Sequence, residues 1–302
     1  MIYKSGFVSI IGFPNVGKST LMNSIIGEKI SIITHKPQTT RHRILGIFNK
    51  YNLQIVFSDT PGLISHNKNF LQKKMMKYVI RSFEDADIIL LLTEVGKIKN
   101  LLETERLKKI LMNFIKQINN KIPIIVLINK IDKIKSNFNI LYKTIDYWSN
   151  ILPQSEILPI SALKKTNQDL LIDKIKVLLS EHEPFYPKEL LSDRSKRFFV
   201  NEIIRERVFF LYKREIPYSV EIKTEIFKQK EKYIEISSIL YVERDSQKNI
   251  LIGYSGKSLK RLKFFSIKKI EEFFQKKIIL FLFVKICKNW RNNYKYLKYF
   301  GY

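Results

Sequence analysis

Short apolar runs alternate with helical patterns through the first half of the chain. Two of these runs, residues 87–92 and 122–128, are hydrophobic at nearly every position, which is typical of parallel strands buried on both faces. The other predicted strands of this layer are residues 7–11, 43–48, 53–58 and 157–160. Helices are predicted at residues 19–26, 71–82 and 169–179. Strands alternating with helices predict an α/β fold with a mostly parallel sheet and helices on both faces.

The last third of the chain has a different pattern. A mixed-charge helix is predicted over residues 194–211, with Asp193 as its N-cap. Two alternating runs follow, residues 218–227 and 233–243, and both suit half-buried antiparallel strands. A helical segment, a long helix to about residue 274 and an apolar strand at 278–286 complete the order helix–β–β–helix–helix–β. This order predicts a second, smaller α+β domain.

We expect the first domain to span residues 1–178, a linker to span 179–193 and the second domain to span 194–302. The linker is acidic and is bracketed by Pro184 and Pro187. Two arrangements are open for it. It could be a stiff spacer between the domains, or an ordered loop that packs on one of them.

The turn between the first predicted strand and helix reads G-x-x-x-x-G-K-S over residues 12–19. Between a strand and a helix, this motif is typical of the phosphate-binding loop of nucleoside triphosphatases. Gly12 and Gly17 let the backbone N–H groups point inward at a polyphosphate. Lys18 can bridge the β- and γ-phosphates, and the Ser19 hydroxyl can bind Mg²⁺.

A second motif, D-x-x-G, ends the predicted strand 53–58. At this spacing from the phosphate loop, Asp59 is expected to hold the Mg²⁺ shell and the Gly62 N–H to contact the γ-phosphate. The polar segment between the two motifs contains two threonines, of which we favour Thr40 over Thr39 as the third Mg²⁺ ligand. The expected metal ligands are therefore Ser19, Thr40 and Asp59. The expected catalytic residues are Lys18, Thr40, Asp59 and Gly62.

A third motif indicates which base is bound. N-K-x-D follows the strand 122–128, and the carboxylate of Asp132 can accept from guanine N1–H and the exocyclic amine together. Asn129 is expected to tie this loop to the phosphate loop, and the Lys130 stem to cover the base. A Ser161-Ala162 turn offers a backbone N–H to guanine O6. The residues expected to bind the nucleotide are Gly12, Asn15, Val16, Gly17, Lys18, Ser19, Thr20, Asp59, Gly62, Asn129, Lys130, Asp132, Ser161 and Ala162.

The net charge of +26 and the pI near 9.9 favour polyanionic partners, either nucleic acid or an acidic membrane surface. A general bias toward lysine in an AT-rich genome would also raise the charge. The distribution is uneven, however, because residues 251–302 hold 13 Lys and Arg against only Glu271 and Glu272, whereas residues 181–250 are nearly balanced. One cysteine excludes an internal disulfide framework, and the amino terminus leads straight into a strand, so we expect a cytoplasmic protein without a signal peptide.

A G-x-x-G turn lies within this basic region, between a helical segment and the long helix. It resembles the clamp of a KH RNA-binding domain in its prokaryotic arrangement, where two glycines let the backbone approach a single-stranded sugar-phosphate chain. Cations at the start of the helix add to the attraction, and Ile252 with neighbouring apolar strand residues is expected to face the bases. The expected RNA-binding residues are Ile252, Gly253, Tyr254, Ser255, Gly256, Lys257, Lys260 and Arg261.

Together these motifs resemble the GTPase superfamily, and residues 12–15 (GFPN) and 38–41 (QTTR) resemble its bacterial Era branch. The segments 193–198 and 201–206 and the ending LKYFGY are similar to the same family, so the resemblance covers essentially the whole chain. It implies a Mg²⁺-dependent GTPase, hydrolysing GTP to GDP and phosphate, with a type II KH domain. It also implies binding to 16S ribosomal RNA near its 3′ end and a role in maturation of the 30S subunit precursor. We expect a monomer.

Two positions depart from related patterns. Leu63 stands where small signalling GTPases have a water-orienting glutamine. The rate of GTP hydrolysis must therefore depend on other groups. Related GTPases with the asparagine found here at Asn15 can bind K⁺ beside the phosphates, which makes K⁺ a candidate cofactor. The second departure is Tyr254-Ser255 between the clamp glycines, where the Era family often has a basic residue.

Two other functions stay open. The chain could act chiefly as an RNA-binding assembly scaffold with weak hydrolysis, given Leu63. It could also be a peripheral regulator whose basic carboxyl-terminal region meets the anionic inner membrane. A P-loop nucleotide kinase is disfavoured by the N-K-x-D motif.

Overall fold

The computed structural model describes residues 3–64, 69–96, 109, 112–113, 122–134 and 137–302. The chain divides after Asp193 into two compact units, of which the second also includes Asn69–Leu71. Within the described ranges, no helix combines the length and the hydropathy that a membrane crossing requires.

The first unit is built on a six-stranded sheet. Its strands are β1 (Lys4–Gly12), β2 (Ile44–Lys50), β3 (Leu53–Asp59), β4 (Ile88–Glu94), β5 (Ile124–Asn129) and β6 (Glu156–Pro159). The spatial order is β2-β3-β1-β4-β5-β6, with only the β2–β3 hairpin antiparallel. Every residue of β3 and β4 is buried, as expected for strands covered on both faces. The predicted α/β fold with a mostly parallel sheet is confirmed.

Four helices of the first unit lie in the described residues: α1 (Lys18–Ile26), α2 (Phe70–Glu84), α3 (Phe138–Ile151) and α4 (Gln168–Leu178). Helix α1 ends at Gly27, whose φ of 83° and N–H to the Asn23 carbonyl form a left-handed cap. Because β1, β3, β4 and β5 run parallel, their carboxyl ends share one edge of the sheet. Loops at that edge are the usual ligand-binding position of such sheets.

Residues 181–192, called the strap below, pack against the first unit. The Ser5 hydroxyl donates to the Glu183 carbonyl (2.6 Å), and the Gln54 amide exchanges two hydrogen bonds with the backbone of Tyr186 (2.8 and 3.0 Å). Further along, Ile47 N donates to the Leu191 carbonyl (2.9 Å). The strap is therefore an ordered loop held by β1, β2 and β3.

The second unit is an α+β domain. Its elements are α5 (Lys196–Leu211), α6 (Ile216–Ser219), β7 (Glu221–Gln229), β8 (Tyr233–Val242), α7 (Asp245–Ile252), α8 (Lys257–Phe274), β9 (Lys277–Ile286) and α9 (Tyr294–Tyr299). Strand β7 pairs antiparallel with β8, and β8 pairs parallel with β9. One face of this sheet packs against α5 and α8 around residues such as Ile204, Leu240 and Leu262, all fully buried.

The aromatic carboxyl-terminal segment is partly built into this domain. Trp290 is fully buried and its ring N–H donates to the Ser219 carbonyl (3.0 Å). Leu297 is also buried, and the Tyr302 hydroxyl donates to the buried Glu221 carboxylate (2.7 Å). Tyr294 and Tyr299, in contrast, are about half exposed. Much of this segment therefore contributes to the packing of the domain.

Two local predictions for the second unit are wrong. The N-cap of α5 is Ser195, whose hydroxyl accepts from Phe198 N (3.3 Å), and not Asp193. The first strand begins at Glu221 rather than residue 218, because Ile216–Ser219 forms a helical turn with Pro217 in its first positions. Proline fits there since its fixed φ suits the start of a helix and its missing N–H is not needed.

Replacing Ile204 by alanine should open a cavity in the core of the second unit and lower its opening free energy by about 2–5 kcal/mol. Hydrogen exchange of the β7–β9 amides measures this unit separately from the first. The matched control is Ile250→Ala in the same unit, because Ile250 is half exposed. Equal effects of the two substitutions would contradict the assigned core.

Candidate functional site: a nucleotide cleft and a glycine clamp

The phosphate loop lies between the end of β1 and the start of α1. Gly17 has a φ of 107°, and a Cβ atom there would lie 2.4 Å from the amide nitrogen of Asn129. A Cβ atom on Gly12 would lie 2.2 Å from the Leu92 carbonyl oxygen. Glycine is favoured at both positions, so these close contacts of the loop with Asn129 and Leu92 depend on the two glycines.

Lys18, the first residue of α1, lies inside this loop. Its ammonium group donates to the carbonyls of Gly12 (3.1 Å) and Phe13 (2.9 Å), and the side chain is buried. Burial lowers the pKa of Lys18 to about 8, although attraction to the Asp59 carboxylate raises it. A buried cation beside loop N–H groups suits a bound polyphosphate, because the anion offsets the cost of burial.

Three predicted metal ligands meet beside Lys18. The Ser19 hydroxyl donates to Oδ2 of Asp59 (2.6 Å) and lies 3.1 Å from the Thr40 hydroxyl. Oδ1 of Asp59 is buried without a hydrogen-bond partner among the described residues, and burial raises the pKa of this carboxyl group. Hydroxyl and carboxylate oxygens are the ligands that Mg²⁺ prefers, so the residues fit this ion.

The geometry separates the two candidate threonines. The Thr39 hydroxyl donates to the Lys36 carbonyl (2.7 Å) and lies 2.6 Å from the Thr34 hydroxyl. Thr40 instead faces Ser19. The arrangement favours Thr40 as the metal ligand.

Gly62 and Leu63 lie close to the phosphate loop. A Cβ atom on Gly62 would lie 3.0 Å from three atoms of Pro14, so a larger residue would press on the loop. Leu63 N donates to the Gly12 carbonyl (3.3 Å), and the Leu63 side chain is buried. An apolar, buried side chain cannot orient a water molecule. Leu63 therefore contributes to packing and does not position the attacking water.

The predicted base-reading residues join three loops. Asn129 donates to the Val16 carbonyl (2.8 Å) and accepts from Ala162 N (2.9 Å). The buried Ser161 hydroxyl donates to Oδ1 of Asp132 (2.5 Å), and Asp132 itself is exposed. Lys130 donates to the Asn15 carbonyl (2.7 Å). The structure therefore brings all the predicted nucleotide-site segments together.

A cavity of about 510 Å³ runs between these segments. Its lining includes Lys18, Thr20, Thr40, Gly62, Asp132 and Ala162, so it reaches from the metal ligands to the base-reading residues. The size falls within the range of small-molecule sites. Val16 is almost fully buried, and its carbonyl accepts from the Asn129 amide.

Two further residues of this cleft belong to none of the motifs recognised in the sequence. The buried Ser31 hydroxyl donates to Oδ2 of Asp59 (2.7 Å), and Ser31 lies in no recognised sequence motif. Glu94 is the last residue of β4, and its buried carboxylate pairs with Lys130 (2.7 Å). Its position at a strand end, as for the recognised motifs, was the available signal. No group of three His, Cys, Asp or Glu side chains in the described residues could form a separate metal centre.

The glycine clamp lies in the second unit, between α7 and α8. A Cβ atom on Gly253 would lie 2.2 Å from the Ser258 hydroxyl, so glycine is required there. Gly256 has a φ of 74° and open space around it. Tyr254 is 85% exposed, and the Lys257 ammonium lies 5.8 Å from its ring centre.

Most of the other predicted clamp residues also face solvent. Ser255, Lys260 and Arg261 are exposed. Ile252 is half-buried and is the last residue of helix α7. The clamp is therefore an open, cationic turn that leads into a helix N-terminus, which favours phosphate binding.

Comparison with known proteins agrees with both units. Residues 7–130 match the family described as 50S ribosome-binding GTPase, and residues 215–291 match the KH domain. GTPase Era of Geotalea daltonii is 42% identical, over 99% of this chain and 98% of the relative.

Two solved Era structures each align with 99% of this chain and 99% of their own, at 38% identity and a TM-score of 0.90. One is Era in complex with MgGDPNP and nucleotides 1506–1542 of 16S ribosomal RNA. The other is a variant of Aquifex aeolicus Era bound to GDP·AlF4⁻.

The fold and the cleft thus define a P-loop GTP-binding domain followed by a KH domain. The chain belongs to the Era family of GTPases. It is accordingly a Mg²⁺-dependent enzyme that hydrolyses GTP to GDP and phosphate, as the sequence predicted.

Asp132→Asn should lower GTP affinity and increase affinity for xanthosine triphosphate. The carboxylate is expected to accept from two guanine N–H groups, whereas an amide would offer a donor that suits the extra oxygen of xanthine. Competition binding with both nucleotides measures the change. An unaltered preference for GTP would refute the role assigned to Asp132.

Proposed function

We propose that this protein is a GTP-dependent switch that binds small-subunit ribosomal RNA near its 3′ end and assists maturation of the 30S subunit. The observation that carries the proposal is the presence, in one chain, of a complete nucleotide cleft and an exposed cationic glycine clamp. The Era relative bound to MgGDPNP and to nucleotides 1506–1542 of 16S ribosomal RNA supports the identity of both ligands.

In this proposal the chain's own residues position the triphosphate for attack by water. The loop N–H groups and Lys18 stabilise charge that develops on the transferring phosphoryl group. Ser19, Thr40 and Asp59 would hold Mg²⁺, which neutralises charge on the β- and γ-phosphates. Asp132 and the Ala162 N–H would read the guanine edge.

The clamp would hold RNA by its backbone rather than by base identity. Gly253 and Gly256 allow close approach of a sugar-phosphate chain, and Lys257, Lys260 and Arg261 supply positive charge. If GTP tightens RNA binding, RNA must tighten GTP binding by the same factor. The site of action in this proposal is the cytoplasm, where ribosomal subunits are assembled.

One observation favours a second candidate, an RNA-binding assembly scaffold with weak hydrolysis. The buried Leu63 supplies no group to orient the attacking water. GTP turnover that stays slow with saturating RNA would favour the scaffold, and strong stimulation by RNA would favour the switch.

Gly256→Asp should weaken binding of single-stranded RNA about tenfold or more, because a carboxylate would face the phosphates. The matched control is Gly256→Asn, which has the same size, tolerates a positive φ and carries no charge. Basal GTP hydrolysis should stay normal in both variants, since neither touches the nucleotide cleft. Equal RNA affinities of the Asp and Asn variants would place the RNA site elsewhere.

GTP hydrolysis should be faster in K⁺ than in Na⁺ at equal ionic strength. Asn15 lines the cleft, and the His35 carbonyl binds its amide N–H (2.9 Å), so its amide oxygen is the atom suited to a cation. A cation there would compensate charge as an arginine finger does. Equal rates in the two salts would remove the basis for a K⁺ site.

A further inference from the structure

Glu94 is a buried carboxylate at the mouth of the nucleotide cleft. It ends β4, and its side chain is 9% exposed. Lys130 of the base-reading segment lies 2.7 Å from it, and Lys133, just beyond that segment, lies 3.7 Å from it. Burying a carboxylate costs free energy unless it is paired, so Glu94 requires a cation beside it.

The Lys130 ammonium is held at two points. It donates to the Glu94 carboxylate and to the Asn15 carbonyl, both at 2.7 Å. The backbone of Lys130 has a φ of 67°, in the left-handed region that non-glycine residues rarely adopt. With its backbone constrained and its charged end fixed, the aliphatic stem between them has little freedom.

A neighbouring backbone contact aligns Glu94 with the same segment. Val95 N donates to the Asn129 carbonyl (3.0 Å), so the residue after Glu94 is bonded to the residue before Lys130. The carboxylate is thus placed by the register of β4 and β5, in which Glu94 lies opposite Asn129.

We propose that Glu94 is a positioning residue for guanine-nucleotide binding, which holds Lys130 so that its stem covers the ring face of the base. The proposal rests on the proposed role of residues 129–132 as the base-reading segment. Glu94 does not touch the nucleotide; it acts through Lys130.

This role differs measurably from that of Asp132. Asp132 reads the edge of the base, so its loss changes discrimination between purines. Glu94 acts on the ring face, which guanine and hypoxanthine share. Loss of Glu94 should therefore weaken GTP, GDP and inosine triphosphate by the same factor.

The test compares Glu94→Gln, which keeps the shape and removes the charge, with Glu94→Asp, which shortens the carboxylate. Dissociation constants for GDP, GTP and inosine triphosphate are measured directly, with kcat at saturating GTP. We expect Glu94→Gln to raise the three constants about tenfold, the effect of losing one charge-assisted hydrogen bond. Glu94→Asp should give a smaller rise, and kcat should stay unchanged, because the phosphate-binding residues are intact.

The same measurements in a Lys130→Met background separate positioning from a general effect on the fold. If Glu94 acts through Lys130, Glu94→Gln adds no further loss in this background. Glu156→Gln is the matched control, because Glu156 pairs with Lys174 at the surface of the same unit. Its nucleotide affinity should equal that of the unsubstituted protein.

Additive losses in the Lys130→Met background, or constants within about twofold of normal in Glu94→Gln, would overturn the proposal. So would failure of both Glu94 variants to fold, which would assign Glu94 to the stability of the domain. The proposed base-reading role is tested independently by Asp132→Asn. An altered purine preference there, with no effect at Glu94, would reject the positioning role alone.

Discussion

The side-chain amide of Asn129 is the interaction on which the nucleotide cleft depends. Its nitrogen binds the Val16 carbonyl of the phosphate loop, and its oxygen binds Ala162 N after β6. Three loops that are distant in sequence are thereby held at one edge of the sheet. The contact is close enough that Gly17 must lack a Cβ atom. Gly17 is thus required by its contact with Asn129, at the end of β5, as well as by the phosphate that the loop binds.

Both units use the same physical device for phosphate. In each, a glycine turn leads into a helix whose first residue is lysine, Lys18 in α1 and Lys257 in α8. Their surroundings differ. Lys18 is buried close to Asp59, which suits a single polyphosphate enclosed with a metal ion. Lys257 is exposed beside Tyr254, which suits a polymer that must enter and leave from solvent.

The sequence predicted the α/β fold and the convergence of the cleft well, because strand periodicity and strand-end motifs are local signals. It failed where two local signals compete or where a contact is long-range. Asp193 and Ser195 are both good N-caps, and only the helix geometry selects Ser195. Ser31 binds Asp59 from an irregular segment that contains no recognisable motif. Glu94 owes its role to the pairing of β4 with β5, which a single sequence does not display.

The strap has a consequence for the first unit taken by itself. Strand β2 lies at the outer edge of the six-stranded sheet, and the strap binds that edge through Leu191 and Ser192. Unpaired strand edges recruit strands from other molecules. A fragment ending at Leu178 would keep every nucleotide-site residue but would expose the edge of β2 to pairing with another chain, whereas a fragment ending at Asp193 would keep that edge covered. The strap therefore covers the edge strand of the first unit as well as leading into the second unit.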